Sequence, residues 1–296
     1  MRAIIPAAGN GKRLTPITDY VQKCLIPVGG KPILQHNIEQ LFELGVSEID
    51  LIIGSYSEQI IKFVGDVFPR NNINFIFQEK RLGLGHAVFQ ALKDRKKEIV
   101  ILLGDVLMEF NKEEFSTCSN CIGTVTVEDP SKYGIVDLDD SNFVCNLVEK
   151  PLNPHSNLAI AGIYKISNEQ KLKEAIKFLI NGKLKTKNEY QLTDALSFMI
   201  NNSVKFKTVQ VENYLDCGNI KSLLEANNYL ISKNGENYIS KSSTIKDSIL
   251  KNVTIMDDCI VESSSLKNVI VMSNSKLKNI KLENALIGFE EVVKYE

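Results

Sequence analysis

The sequence predicts an α/β protein: a Rossmann-like, mostly parallel mixed sheet flanked by helices, followed by a short left-handed parallel β-helix. Three observations point there. Short apolar runs alternate with helical stripes from Ala3 to about residue 105, the pattern of a sheet wrapped by helices. From about residue 120 the pattern loosens into successive strands followed by helices. Beyond residue 234 apolar side chains recur every five or six positions, a period that neither a helix nor an ordinary hairpin has. These shifts in texture divide the chain into an expected α/β domain, 1–233, and a hexapeptide-repeat-like tail, 234–296.

Residues 3–5 read as a short buried strand that runs into the glycine-containing loop PAAGNGKRLTP. KPILQHNIEQLFELG carries apolar residues at 33, 34, 38, 41, 42 and 44, a helical stripe with Pro32 near its start and Gly45 as its stop. IDLIIG is a strand, SEQIIKFVGDVF a helix opened by Ser57, INFIFQE a strand, GHAVFQALKDRKK a helix and EIVILLGD a strongly apolar strand. IGTVTVED, YGIVDLD, FVCNLVEK and LAIAGIYKI follow as strands, with a turn over 139–142. Helices are expected at 168–180, 192–201 and 219–232, with the strand VKFKTVQV between the last two. In the tail, apolar residues fall at 245, 250, 255, 260, 266, 271, 277, 282 and 287. The glycines usual in such repeats are mostly missing, which predicts irregular coils.

Bulk composition narrows the function. The 296 residues are 44% hydrophobic, enough for a sizeable core. With 35 basic and 36 acidic residues the net charge is -1, so no global field gathers nucleic acid or an anionic membrane, and any anion site must be local. Cys118 and Cys121 make one C-x-x-C without the second pair that a zinc site needs. The other cysteines are scattered, and His36, His86 and His155 have no ligand spacing. The run after Arg2 is broken at Pro6, too short for a signal peptide, and no apolar stretch reaches the ~18 residues of a membrane span. The expected setting is the cytoplasm.

The opening loop concentrates the chemistry. A P-loop would need glycine at Pro6 and Ser or Thr at Arg13; the dinucleotide fingerprint would need glycine at Leu14. Both fail. What remains is a strand followed by A-A-G-x-G-x-R-L-x-P and then QKCLIPVGGKPIL. Backbone N–H groups of a glycine turn converge on phosphate oxygens, Arg13 can fork onto two of them, and Lys23 adds a point charge.

With QEKRLGLGHAV, LLGDV, YGIV, LVEKP, NLAIAGIY, EYQLTD and YLDCGNIKSLLEAN following in order, the chain resembles the sugar-1-phosphate nucleotidylyltransferases over essentially its whole length. The resemblance implies transfer of a nucleotidyl group from a nucleoside triphosphate to a sugar 1-phosphate, with release of pyrophosphate. It assigns Ala8, Gly9, Gly11, Arg13, Gln78 and Gly83 to the nucleotide, and Gly134, Glu149, Lys150, Gly162 and Glu189 to the sugar phosphate. It further implies Arg13, Lys23 and Asp105 as the catalytic set, and Mg2+ held by Asp105 with Asp216. A turn role for Asp105 and a helix-capping role for Asp216 are the competing readings.

Lys12, Gln22 and Asn219 depart from the family pattern, the last leaving the contact after Asp216 open. LGLGHAV and SNLAIAGIY look most like UTP–glucose-1-phosphate uridylyltransferases, while LLEANNYL followed by a β-helical tail looks like long-form glucose-1-phosphate thymidylyltransferases. UTP and dTTP therefore both stand, with glucose 1-phosphate as the sugar substrate. Such tails imply a homo-oligomer, dimer or tetramer. A non-catalytic nucleotide-sugar-sensing or assembly subunit is the alternative. Acyl transfer by the tail is disfavoured because no histidine follows His155.

Overall fold

The computed structural model describes residues 1–9, 11–54, 56–233 and 235–294. In chain order the elements are β1 (Arg2–Pro6), β2 (Pro27–Val28), β3 (Lys31–Pro32), α1 (Ile33–Glu43), β4 (Glu48–Ile53), α2 (Ser57–Val67), β5 (Ile73–Phe77), α3 (Leu84–Ala91), β6 (Ile99–Leu102), β7 (Val106–Phe110), α4 (Lys112–Thr117), β8 (Cys121–Thr126), β9 (Gly134–Leu138) and β10 (Val144–Glu149). Then come β11 (Leu158–Ile166), α5 (Glu169–Asn181), α6 (Leu192–Asn201), β12 (Lys207–Asp216) and α7 (Ile220–Ser232). The tail holds β13 (Tyr238–Ile239), β14 (Thr244–Lys246), β15 (Ile249–Ile255), β16 (Ile260–Glu262), β17 (Ser265–Val271), β18 (Lys276–Lys278), β19 (Lys281–Ile287) and β20 (Val292–Lys294).

The main sheet runs β5-β4-β1-β6-β11-β8-β12-β7, with β9 on β11 and β10 on β9. Its first four strands are parallel, whereas β11 runs antiparallel to β6, β8 and β9, so the sheet is mixed. From β1 the chain moves outward to β4 and β5, then returns to the other side of β1 as β6. The carboxyl ends of β1 and β6 therefore form a topological switch point, where open α/β sheets bind ligands. Gly104 N–H donates to Pro6 O at 3.3 Å, and a Cβ on Gly104 would lie 2.8 Å from that same oxygen. The close approach of the two strand ends requires glycine there.

Packing divides the chain into two compact units. One comprises Met1–Gly9, Glu39–Gly104 and Met108–Tyr214; the other comprises Asn10–Ile38, Asp105–Leu107 and Leu215–Glu296. This division differs from the sequence boundary at residue 234, which itself lies outside the described residues. The first unit buries Ile4, Ile52, Val88, Ile101, Ile122, Tyr164, Leu172 and Phe206 among others. In the second, Leu14, Val21, Ile26 and Val28 share a core with Leu223 and Leu224 of α7 and with Ile270 and Met272 of the tail. The tail is thus packed into the unit that carries Lys23 and Asp216.

The tail strands are parallel in two four-stranded sheets, β13-β15-β17-β19 and β14-β16-β18-β20. Every pairing is offset by 16 residues, as in Thr244↔Ile260↔Lys276↔Val292. Positive φ recurs at Asp247, Asn252, Asp258, Ser263, Asn268, Asn274, Asn279, Asn284 and Glu290, in steps of five, five and six. Asn and Asp tolerate the left-handed region, so they supply the corners without glycine and the repeat is regular. Serines add to it: the hydroxyls of Ser243, Ser248 and Ser264 each accept from the backbone N–H 16 residues on. One expected inward position is corrected. Ile260 faces outward, and Val261 is the fully buried member of the 16-residue row that includes Ile245 and Leu277.

Other differences are local. Helix α2 begins at Ser57, and its N-cap is Tyr56, in a left-handed conformation and without a side-chain cap bond. Helix α3 stops at Ala91, well short of the expected end: Leu92 is extended, and Glu169 captures the Lys93 N–H. Strand β7 and helix α4 had no sequence prediction, and β12 starts later than expected and runs on to Asp216.

Candidate functional site

In the second unit, the 3-10 turn Lys23–Leu25 is opened by Gln22, whose side-chain oxygen accepts the Lys23 N–H at 3.1 Å. Gln22 therefore fixes the backbone where the family pattern has proline. Lys23 Nζ lies 2.8 Å from Asp105 Oδ2; the lysine side chain is 9% exposed and the aspartate 47%. A buried ammonium thus meets a carboxylate that still faces solvent. Gly11 packs over the lysine stem with φ +61°, and a Cβ there would stand 2.8 Å from Thr18 Cγ2 and 3.1 Å from Lys23 Cβ. The glycine loop and Lys23 are locked together by that contact.

Cys217 N–H donates to Asp105 O at 3.2 Å, which joins the end of β12 to the residue before β7. Asp216 accepts from Gly218 N–H at 2.9 Å and from the Ser222 hydroxyl at 3.1 Å. The cap of α7 is Asn219, which forms a capping box with Ser222. That answers the question Asn219 posed: the helix cap is supplied by Asn219, and Asp216 is held as a carboxylate beside it. Arg13 is exposed on the loop, and its guanidinium Nη2 would lie 2.9 Å from a Cβ built on Gly218, next to Asp216. The thiols between these charges are inert: burial pushes Cys24 up to about 12 and raises Cys217 as well.

Among the described residues no cluster of three or more His, Cys, Asp or Glu forms a complete metal cage. Asp105 and Asp216 instead offer two hard carboxylates whose backbones are tied together, one half exposed. That donor set fits an ion such as Mg2+, which keeps waters and completes its shell with substrate phosphates.

In the first unit, Gln78 follows β5, with its N–H on Ile53 O at 2.8 Å. The residue is 7% exposed, and its side-chain amide has no hydrogen-bond partner among the described residues. Gly83 sits at φ +114°, where a Cβ would come within 2.6 Å of Tyr190 O. That fit lets Tyr190 N–H reach Leu82 O and Gly85 N–H reach Tyr190 O, both at 2.8 Å, which brings Glu189 alongside the 82–85 loop.

Glu149 at the end of β10 pairs in register with Gly134 of β9. Its Oε2 accepts from the Thr193 hydroxyl at 2.7 Å, and its Oε1 lies 3.5 Å from Lys150 Nζ. Gly134 leaves room for this pair, since a Cβ there would be 3.1 Å from Glu149 Oε2 and 3.2 Å from Thr193 Oγ1. Gly134, Glu149 and Lys150 are thus brought together, and Thr193 joins them. Thr193 was missed by sequence reasoning; its signal was the stretch EYQLTD. Asp194, beside it, does not cap α6, whose N-cap is Gln191. Burial holds the Asp194 carboxyl above its ordinary range, against a hydrogen bond from Thr186.

Gly162 is placed differently. At φ +97° it lets β11 pass Leu103, whose N–H donates to Gly162 O at 2.9 Å. Ala8 is buried against Gly54, while Gly9 is exposed with open space around it.

The model of the nucleotidyl transferase family matches residues 2–233. The chain belongs to that family. Its relatives include the bifunctional protein GlmU of Methanococcus vannielii, 38% identical over 88% of this chain and 61% of that protein. The GlmU of Methanocaldococcus jannaschii is 36% identical over 88% of this chain and 60% of its own length. This nucleotidyl transferase chain therefore spans about three fifths of those relatives. The UTP–glucose-1-phosphate uridylyltransferase AglF of Haloferax volcanii is 29% identical over 61% of this chain and 84% of that protein. Among solved structures, a Bacillus anthracis protein described as a glucose-1-phosphate thymidylyltransferase superposes with a TM-score of 0.68 at 25% identity, over 78% of this chain and 95% of that one. A UDP-glucose pyrophosphorylase bound to UDP-glucose shares the fold at a TM-score of 0.67 and 24% identity, over 78% of this chain and 98% of that one. No helix among the described residues is long and apolar enough to cross a membrane.

Proposed function

We propose that this chain joins a nucleoside triphosphate, UTP or dTTP, to a sugar 1-phosphate, with glucose 1-phosphate as the first candidate, releasing pyrophosphate. The observation that carries this reading is the buried Lys23 ammonium held 2.8 Å from the half-exposed Asp105 carboxylate, just after the switch-point strand β6. The sugar phosphate already bears an anionic oxygen, so attack on the α-phosphate needs no general base. The obstacle is the meeting of two anions, and fixed cations and positioning are what lower it. In this reading Arg13 and the backbone of Ala8, Gly9 and Gly11 neutralise the departing pyrophosphate. Lys23 draws charge from the α-phosphate. Glu149 accepts sugar hydroxyls, oriented by Thr193; Lys150 pairs with the sugar's phosphate; Gly134, Gly162 and Glu189 complete the sugar contacts. Mg2+, held by Asp105 and Asp216, would supply charge neutralisation on the phosphates. The experiment is pyrophosphate release across a matrix of nucleotides and sugar 1-phosphates.

Gln78 supports the pyrimidine assignment. An amide that both donates and accepts matches the uracil or thymine edge, which offers a carbonyl and an N–H. UTP and dTTP are expected to exceed CTP, GTP and ATP, with weaker discrimination between themselves because one methyl is worth only ~1–3 kcal/mol. Replacing Gln78 by leucine removes the preference over CTP by roughly 10- to 100-fold in kcat/KM, since a polar edge is then left unpaired. A wild-type preference for ATP or GTP contradicts the assignment.

Residues 1–233 are read as the catalytic domain and 234–296 as a left-handed parallel β-helix, supported by the 16-residue register and its positive-φ corners. The tail's apolar exterior, with Ile249 74% exposed and Val292 63%, supports a homo-oligomer, dimer or tetramer. Removing the tail is a poor test, because Ile270 and Met272 would leave the core shared with α7. Light scattering of the full chain and of Ile249→Lys is the better one: an assembly that Ile249→Lys weakens is expected, and a monomeric wild type at micromolar concentration contradicts it. Six free thiols suit a reducing cytoplasm, where we place the enzyme.

A further inference from the structure

A cavity lies in the first unit, at the amino ends of β8 and β12, and none of the residues assigned to the reaction lines it. Its volume is about 580 Å3, within the range of small-molecule pockets. Lys171 of α5 and Lys205 and Lys207 before and at the start of β12 line it, and no aspartate or glutamate does. The chain as a whole has nearly equal numbers of acidic and basic residues, so a wall with three cations and no anion is a local arrangement.

The pairing of the surrounding lysines sharpens this. Lys165 and Lys173, close by in sequence to the wall, are matched with Glu98 and Asp94. Lys171, Lys205 and Lys207 make no ion pair among the described residues. Two of them are held by an aromatic ring instead: Lys205 Nζ and Lys207 Nζ lie 4.9 and 5.6 Å from the centre of Phe143. Phe143 is brought there because Val144 N–H donates to Phe206 O at 2.9 Å, tying the β9–β10 hairpin to the lysine-bearing strand. The frame is also fixed. Asn120 accepts from Ser167 N–H at 2.8 Å and donates to Lys205 O at 3.2 Å, and Met199 forms a buried apolar part of the wall. Gathering three like charges is unfavourable in the empty protein and is offset by a bound anion.

We propose that this cavity binds a small phosphate-bearing polyanion at a place separate from the catalytic residues. The size of this half-open cavity fits a compact diphosphate or phosphate monoester rather than a nucleic acid strand or a membrane surface. The lysines recognise charge, and the Phe143 ring and Met199 give an apolar part of the ligand somewhere to rest.

The test uses the full chain labelled with 13C-methyl methionine and titrated with inorganic pyrophosphate at constant ionic strength. The Met199 methyl resonance, assigned with Met199→Leu, is expected to shift saturably. Met256 and Met272 in the tail serve as internal references. Lys205→Gln with Lys207→Gln is expected to weaken this response by at least about tenfold, because two of the three charges that select the anion are gone. Lys171→Gln alone gives a smaller loss and covers the case in which the double variant does not fold. Binding is expected to persist in Lys23→Met, which removes the proposed phosphate contact of the reaction and so separates this site from that one. No Met199 shift, an equal shift with chloride, or a shift that survives the double substitution overturns the proposal.

Discussion

Asparagine at either Asp105 or Asp216 is expected to lower the rate of pyrophosphate release by at least about 100-fold, because electrostatic stabilisation of transferring phosphates is worth several kcal/mol. The fold should survive both changes, and the geometry says why. The amide oxygen of Asp105→Asn still accepts from Lys23; that of Asp216→Asn still accepts from Gly218 N–H, and its amide N–H can donate to the Ser222 hydroxyl oxygen in place of the bond that hydroxyl donated. Only charge and metal affinity are removed. The cap of α7 is untouched, since Asn219 provides it. Turnover measured against Mg2+ concentration, beside a thermal melt, separates the two effects. Near-wild-type turnover at limiting Mg2+ in either variant means that aspartate is not a ligand.

Methionine at position 23 is expected to cost about 100- to 1000-fold in kcat, the range seen when one preorganised donor to a developing anion is lost. Lys23 is buried and its stem is packed beneath Gly11, so methionine keeps the volume while removing the charge. Asp105, half exposed, is left with solvent as its partner, and the melting temperature should change little. A variant that melts like the wild type and turns over like it contradicts the role given to Lys23. A variant that unfolds shows that the Lys23–Asp105 pair serves mainly to hold the second unit together.

The parallel half of the sheet was legible because β1, β4 and β6 carry the apolar runs AII, LII and IVIL, and burial on both faces demands such runs. Helices α5, α6 and α7 were legible for a similar reason: their apolar stripes have the helical period. Strand β7 was hidden because it starts one residue after Asp105 and is separated from β6 by only Leu103, Gly104 and Asp105, so the two strands read as one segment. The early end of α3 was hidden because Glu169, far along the chain, takes the Lys93 N–H. Ile260 was misplaced because the tail's corners alternate between five- and six-residue steps, and a one-residue slip turns a side chain outward.

Of the candidate site, the charged residues were legible as types at motif positions. Their partners were not. That Lys23 meets Asp105, and that Thr193 meets Glu149, depends on contacts 82 and 44 residues apart in sequence, which no local pattern encodes. Gly162, expected as a sugar contact, carries a further demand that the sequence did not show: at φ +97° it lets β11 pass Leu103.

The most direct test is a stoichiometric one. Purified full-length protein is incubated with Mg2+, UTP or dTTP and glucose 1-phosphate, and pyrophosphate and nucleotide-sugar are quantified together. The proposed function predicts equal amounts of both products, dependent on Mg2+ and on the sugar phosphate. Correctly folded protein that forms neither product with any pairing of UTP, dTTP, CTP, GTP and ATP with a panel of sugar 1-phosphates would contradict it.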